Sequence, residues 1–324
     1  AQAPQAVAVI QIQDADGDGS FSSADIDSAL AGAKEVYYET DIVPLRLQKY
    51  LSKFLAFNVT AADPFEKREH MFYYGAAVGT PIGNSSTSGS VIYTAKTTLQ
   101  VFGTSYAHGS RVMTAPRMAR KTITLSDGTN VTVTLDGSFV AAATAACIAG
   151  MPTYSQTLLK TQLLGFDYVE TFGASTNIAL GAAGIIFFSD AGSGVYVFEE
   201  DQTVDNYAPE FHEILPMRTK QDVTRIVRRE MDASVIGMVP NTQGDAKATV
   251  AARLMQILIT LVNNGVTAPY QDATGNARQI NSSDVEVFSD ETDSTKFNFL
   301  YGFYTRFAIK RLFGLYVTNQ SVSG

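Results

Sequence analysis

Val250, Leu254, Ile257, Leu258 and Leu261 fall three and four residues apart, so a helix over residues 245–263 is apolar along one whole side. A stripe of that length has to be covered, and the chain must bring other elements against it. Gly265 stands just past the last apolar position, where a helix ends in a left-handed turn. Upstream, residues 222–234 set Val223, Ile226, Val227 and Met231 on one side of a helix, with Arg225, Arg228 and Arg229 on the other. Val239-Pro240-Asn241-Thr242 separates the two helices. Residues 285–288 and 298–309 read as strands around Asp290-Glu291-Thr292, and Phe297, Phe299, Tyr301 and Phe303 alternate onto one face. Two helices and a strand pair make a compact α+β unit.

The preceding two thirds have a different rhythm. A strand at 7–12, a polar loop at 14–23 and a helix at 24–37 are followed by a short strand at 41–45 that Pro44 interrupts. Leu47, Leu51, Phe54 and Leu55 then share a helical face within 46–57, and 71–74 is another apolar run. Strand alternating with helix is the mark of an α/β architecture. A β-rich excursion occupies 83–135, with a hairpin at 121–135 that turns at Asp127-Gly128. An alanine-rich helix at 139–148 and a hairpin from 184–188 and 194–198 follow. The expected fold class is α/β to α+β, with an α/β core domain at 1–216 carrying the β-rich insertion and a compact α+β domain at 217–324.

Composition narrows the function classes. Of the 324 residues, 45% are hydrophobic and 17% charged, the balance of a folded globular chain. A formal charge of −8 argues against a nucleic-acid binder, which needs a basic face to displace counterions from phosphates. The single cysteine, Cys147, permits no disulfide within one chain, and its setting in Ala-Ala-Cys-Ile-Ala points to packing, not reactivity. No signal peptide or membrane-spanning stretch is evident, so a soluble protein without membrane insertion is expected. The sequence begins at Ala1 without an initiator methionine and reads as a fragment or a processed form.

One segment carries ligand chemistry. From Asp14 to Asp25 the sequence follows the calcium-loop template, with Asp14, Asp16 and Asp18 at positions one, three and five. Gly19 takes the turn position, Ser20 offers a carbonyl and Asp25 holds position twelve. The plain alternative is a surface turn whose Asp or Ser side chains cap the next helix. His70, His108 and His212 show no metal-ligand spacing, and neither a nucleophile elbow nor a P-loop occurs, so no catalytic residue is assigned.

In its C-terminal third the order of features resembles the contractile phage tail sheath family: a helix before Val239-Pro240-Asn241-Thr242, a helix ending in Asn-Asn-Gly265, Tyr270-Gln271, the 285–288 strand, the Asp290-Glu291-Thr292 turn and a terminal strand pair. Upstream, Ile42-Val43-Pro44-Leu45, Arg111-Val112-Met113-Thr114-Ala115-Pro116 and Ala182-Ala183-Gly184-Ile185-Ile186 are similar to core strands of that family. The resemblance implies a non-enzymatic subunit that self-associates into stacked hexameric rings around a tail tube protein and contracts to drive the tube through a bacterial envelope. It places the protein in the virion tail, after assembly in the host cytoplasm. It also implies strand-exchanging arms, for which Tyr316, Val317 and Thr318 are candidates, and tube-facing or intersubunit contacts, for which Arg225, Arg228, Arg229, Lys310 and Arg311 are candidates. Two other readings stay open: a calcium-stabilised extracellular binding module, and an α/β hydrolase or nucleotide-binding enzyme. Calcium binding at Asp14, Asp16, Asp18, Ser20 and Asp25 predicts that calcium raises the melting temperature of the chain and leaves an Asp14→Ala/Asp16→Ala variant unmoved. An unchanged melting temperature in the parent chain would remove Ca2+ as a cofactor.

Overall fold

The computed structural model describes residue 12 and residues 21–35, 41–61, 71–100, 111–151, 157–204, 213–235, 242–289 and 297–304. In chain order these form α1 (Ser23–Glu35), a 3-10 turn (Gln48–Tyr50), α2 (Leu51–Ala61), β1 (Phe72–Gly75) and α3 (Val91–Tyr93), which runs on as a π-helix (Thr94–Leu99). Next come β2 (Arg111–Thr114), β3 (Met118–Thr124), β4 (Asn130–Asp136), α4 (Gly137–Ala149), β5 (Gln162–Leu163), β6 (Tyr168–Val169) and α5 (Ala174–Gly181). The chain continues through β7 (Ile185–Ile186), β8 (Phe188–Asp190), β9 (Tyr196–Phe198), α6 (Ile214–Ser234) and α7 (Gln243–Asn263). Last are β10 (Tyr270–Gln271), β11 (Ala277–Arg278), a 3-10 turn (Ser282–Asp284), β12 (Val285–Ser289) and β13 (Phe297–Tyr301). Helix and strand are mixed throughout.

A parallel sheet in the order β1-β2-β7 organises the first part, and Ile42 adds a parallel bridge to Phe72 at its edge. Every residue of β1 and β2 is buried, as happens when both faces of a parallel sheet are covered. The period of two divides the strands between two cores. Phe72, Tyr74, Met113 and Ile185 enter a first core with Ile26 of α1, Leu51 and Phe54 of α2, and Leu99. Tyr73, Val112 and Ile186 enter a second core with Val140, Ala141, Ala145 and Ile148 of α4, joined by Phe188 and Phe198 of the antiparallel sheet β5-β9-β8. A hairpin of β3 and β4, with β6 against β3, leaves this second core at Ala119 and runs outward.

A third core is built from Val223, Val227 and Met231 of α6, from Val250, Leu254, Ile257, Leu258 and Leu261 of α7, and from Val285. Thr242 caps α7 by accepting from the Asp245 N–H at 3.1 Å, and Gly265 ends it at φ +71°. The inner face of the β12–β13 ladder lays Val287, Phe299, Tyr301 and Phe303 over this core.

Six expectations change. The excursion at 83–135, read as β-rich, is helical from Val91 to Leu99, and the strand read at 298–309 ends at Tyr301, before Gly302. The run 184–188 is divided: Ile185–Ile186 pairs parallel with β2, while Phe188–Asp190 turns antiparallel onto β9. The 41–45 strand shrinks to one bridge at Ile42, and the proline at 44 has no N–H to continue a ladder. The helix predicted at 46–57 begins as a 3-10 turn at Gln48 and becomes α-helical at Leu51. Helix α6 starts at Ile214, eight residues before the expected 222, so the boundary drawn between 216 and 217 falls in its first turn. Pro216 fits there, because a first-turn proline gives up an N–H that has no intrahelical partner. The expected strand at 7–12 lies outside the described residues except for Ile12, which packs on the first core.

The start of α4 is the tightest point. A Cβ on Gly75 would meet the Gly137 carbonyl oxygen at 1.9 Å, and one on Gly137 would meet the carbonyl oxygens of Pro116 at 2.3 Å and Ala76 at 2.6 Å. All these neighbours are backbone and cannot rotate aside. Gly137→Ala is therefore expected to cost on the order of 3 kcal/mol or more, read as a steep fall in melting temperature. An unchanged melting temperature would mean that α4 can withdraw freely from β1.

Candidate functional site

In a chain whose sequence offers no catalytic motif, the places to examine are the faces other molecules can reach. The outer face of β12–β13 is one. Glu286 lies opposite Leu300, and Phe288 opposite Asn298, with Leu300 62% and Phe288 42% exposed. Beside it runs a shallow groove of about 250 Å³ lined by Ser283, Asp284, Glu286, Leu300, Tyr301 and Gly302. Among the described residues this ladder has two strands, so each strand has a free edge.

The support behind that ladder is polar and aromatic. Arg278 of β11 grips Asp284 with both guanidinium arms, one at 2.7 Å, and stacks its cationic carbon 5.5 Å from the Tyr270 ring centroid. Tyr270 donates its hydroxyl to the Gly302 carbonyl and meets Tyr304 edge-on at 5.8 Å. The Arg278 hydrogen bonds hold the Asp284 carboxyl below its usual range, while burial pushes Tyr270 up to about 12.

The arginines of α6 do not share one role. Arg225 turns back to Asp222 three residues earlier, and both side chains are largely buried. Arg228 is half-buried. Arg229 has its side chain 70% exposed, with Glu230 3.5 Å away. Glu230 reaches across to Arg253 of α7 at 3.2 Å, and Arg253 also donates to the Ser234 hydroxyl at 2.9 Å, which clamps the two helices. Lys310, Arg311, Tyr316, Val317 and Thr318 lie outside the described residues.

Of the predicted calcium loop, Asp14, Asp16, Asp18 and Ser20 also lie outside the described residues. Asp25 occupies the third position of α1, where it accepts from the Ser22 N–H at 2.7 Å while Ser22 accepts from the Asp25 N–H at 3.3 Å. That reciprocal pair is a capping box. Among the described residues no group of three His, Cys, Asp or Glu side chains could hold a metal ion. Also among them, no helix is long and apolar enough to cross a membrane. Cys147 is half-buried on α4, and burial pushes its thiol up. His70, His108 and His212 lie outside the described residues.

Sequence reasoning gave no hint of a charged cluster where α6 meets the α/β part. Arg218 donates to the Ile148 carbonyl at the end of α4, and Asp201, 2% exposed, accepts from Thr157. Asp41 sits in the field of Arg218 and Arg225, yet burial wins over both and pushes its carboxyl up to about 7. Tyr73, fully buried on β1, is raised well above its usual value by burial and then by Asp41.

The fold defined by these parts is that of contractile tail sheath proteins. Two solved structures of the anti-feeding prophage match over 93% of this chain: its baseplate, with a TM-score of 0.61 and 13% identity over 75% of that chain, and its contracted helical sheath, with 0.59 and 14% over 76%. The sheath tail protein of Desulfitobacterium hafniense matches 89% of this chain with a TM-score of 0.56 and 14% identity. This chain spans 61% of that protein's length. At such identities the likeness is one of fold. No protein-family model and no curated protein sequence matches the chain.

The raised Asp41 carboxyl sets a pH dependence. Between its unfolded value of 3.8 and its folded value of about 7, the unfolded chain releases this proton and the folded chain keeps it. Asp41 thus subtracts stability as pH rises from about 4 to about 7. Asp284 works in a different window, since its stabilisation is present above its unfolded value and lost as pH falls through its depressed folded value. Asp41→Asn is expected to flatten the decline between about pH 4 and about pH 7 in thermal unfolding. An identical slope in the variant would contradict the assignment.

Proposed function

We propose that this chain is a structural subunit of a contractile phage-type tail sheath, and that copies of it assemble as hexameric rings stacked around a tail tube. The observation that carries this is the fold shared with the anti-feeding prophage sheath over 93% of the chain. In this reading the α/β part with its β insertion is the body of the subunit, and the C-terminal α+β unit makes the contacts that persist during contraction. Contraction drives the tube through a bacterial envelope, and the work comes from repacking of subunit surfaces, not from covalent chemistry. The protein belongs to the virion tail after assembly in the host cytoplasm.

Several surfaces suit such a role. A free edge on β12–β13 can accept a strand from a neighbouring copy, and the segment around Tyr316, Val317 and Thr318 is the proposed donor. Arg229, with Arg228 beside it and Lys310 and Arg311 further along the chain, supplies cationic contacts to the tube or to the next subunit. Arg225 serves inside the subunit through Asp222. A calcium ion in the 14–25 loop would brace the approach to α1.

Negative-stain microscopy of the concentrated protein tests the reading. Rings or tubes are expected from the parent chain, and an Arg228→Glu/Arg229→Glu variant should lose them while keeping its melting temperature. Dispersed particles from the parent, or unimpaired tubes from the variant, would count against the assembly and the assigned contacts respectively.

A further inference from the structure

Beyond Tyr304 the sequence changes its electrostatic character. Residues 305–324 hold three of the chain's 24 basic residues, Arg306, Lys310 and Arg311, and none of its 32 acidic ones. They carry +3, while residues 1–304 carry −11. Between 306 and 313 the three cations are interleaved with Phe307, Ile309 and Leu312. A short stretch that is both cationic and apolar calls for a surface that is apolar and acidic.

The outer face of β12–β13 has that chemistry. Leu300 is 62% exposed and Phe288 42%. Glu286, exposed opposite Leu300, is the one charged residue of either strand, and among the described residues no cation pairs with it. The nearby Asp284 is already held by Arg278, so Glu286 is the carboxylate left to meet an incoming cation. The groove of about 250 Å³ on this face opens at Gly302, where a Cβ would meet no heavy atom within 4 Å. Gly302 follows Leu300 by the strand period of two, so its missing side chain leaves a gap on the same face.

We infer that residues 306–313 of one copy dock across this face of the next copy, with Lys310 and Arg311 beside Glu286 and an apolar side chain in the gap at Gly302. The inference rests on the sheath reading for its partner, a second copy of the chain, and names the contact between the two. The chain's own ladder is a poorer target: the Tyr304 carbonyl is held by the Ala268 N–H at 2.8 Å, and only Thr305 remains to reverse the chain before Arg306. The contact joins two different surfaces, so each copy gives one segment and receives another, and all copies can face the same way, as stacked rings require. Tyr316 follows three residues after the docked segment, which brings the proposed strand donor to the edge of the same ladder.

Light scattering coupled to size exclusion, run on the full chain from low to high protein concentration, reads this contact. The mass of the parent is expected to rise with concentration. Glu286→Lys, and separately Lys310→Glu/Arg311→Glu, should each weaken association by about tenfold with the melting temperature unmoved, and combining them should restore it, because the pair is rebuilt with its charges exchanged. Gly302→Val fills the gap without a clash in its own chain and should weaken association as well. Association as strong as the parent's in both charge variants, or a loss that the combination does not recover, would overturn this contact and leave the sheath reading standing. A parent that stays monomeric at every concentration would overturn the self-assembly on which both rest. If the melting temperature of that monomer then fell in Glu286→Lys and recovered in the combination, the segment would belong on its own ladder.

Discussion

Helix α6 is buried in two cores at once, and the relation between the two parts of the molecule depends on it. Ile214 belongs to the second core, with Tyr73, Val112 and α4, while Val223, Val227 and Met231 belong to the third, with α7. At 21 residues the helix is about 31 Å long. Its ladder continues from one core into the other, and the buried Thr219 hydroxyl is satisfied by the Leu215 carbonyl. Separating the two parts would expose apolar side chains at one end of α6 or break the helix between them. The charged groups at the junction, Arg218 on the Ile148 carbonyl and Asp222 on Arg225, are tied down in the same place. Losing one member of such a set leaves its partner buried without compensation.

The proposed role, a subunit that acts by changing its neighbours, would need a stiff body and adhesive surfaces. The two-faced parallel sheet supplies stiffness, since the apolar side chains of its strands are divided between the two cores. The surfaces proposed for it are exposed faces: the outer side of β12–β13 and the Arg229 side of α6. Each lies on an element braced from behind. The β12–β13 ladder leans on the Tyr270, Arg278 and Asp284 cluster, and α6 is clamped to α7 through Glu230 and Arg253.

What could be read from sequence was what repeats at short range. The α7 stripe, the Asp127-Gly128 hairpin and the alternating Phe299, Tyr301 and Phe303 all emerged as expected, because period and turn chemistry are local. The first half of α6 escaped because it is buried on nearly every side and so shows no amphipathic contrast. The division of 184–190 between two sheets depends on partners far away in sequence. Among candidate contact residues, Arg225 was grouped with Arg228 and Arg229 on spacing alone. Asp222 three residues before it was the available signal that it turns inward. Asp41 and Arg218 lie 177 positions apart in a chain that folds them together, and no pattern announces such a pair. Much of the calcium-loop template lies outside the described residues, so its legibility rests on the sequence.

Hydrogen exchange along α6 in the intact chain tests most directly whether one helix joins the two cores as a single body. The account predicts that amides from residue 218 to residue 234 exchange slowly as one group, at a rate shared with the buried strands β1 and β2. A slow first half beside a second half that opens on its own, together with α7, would contradict it.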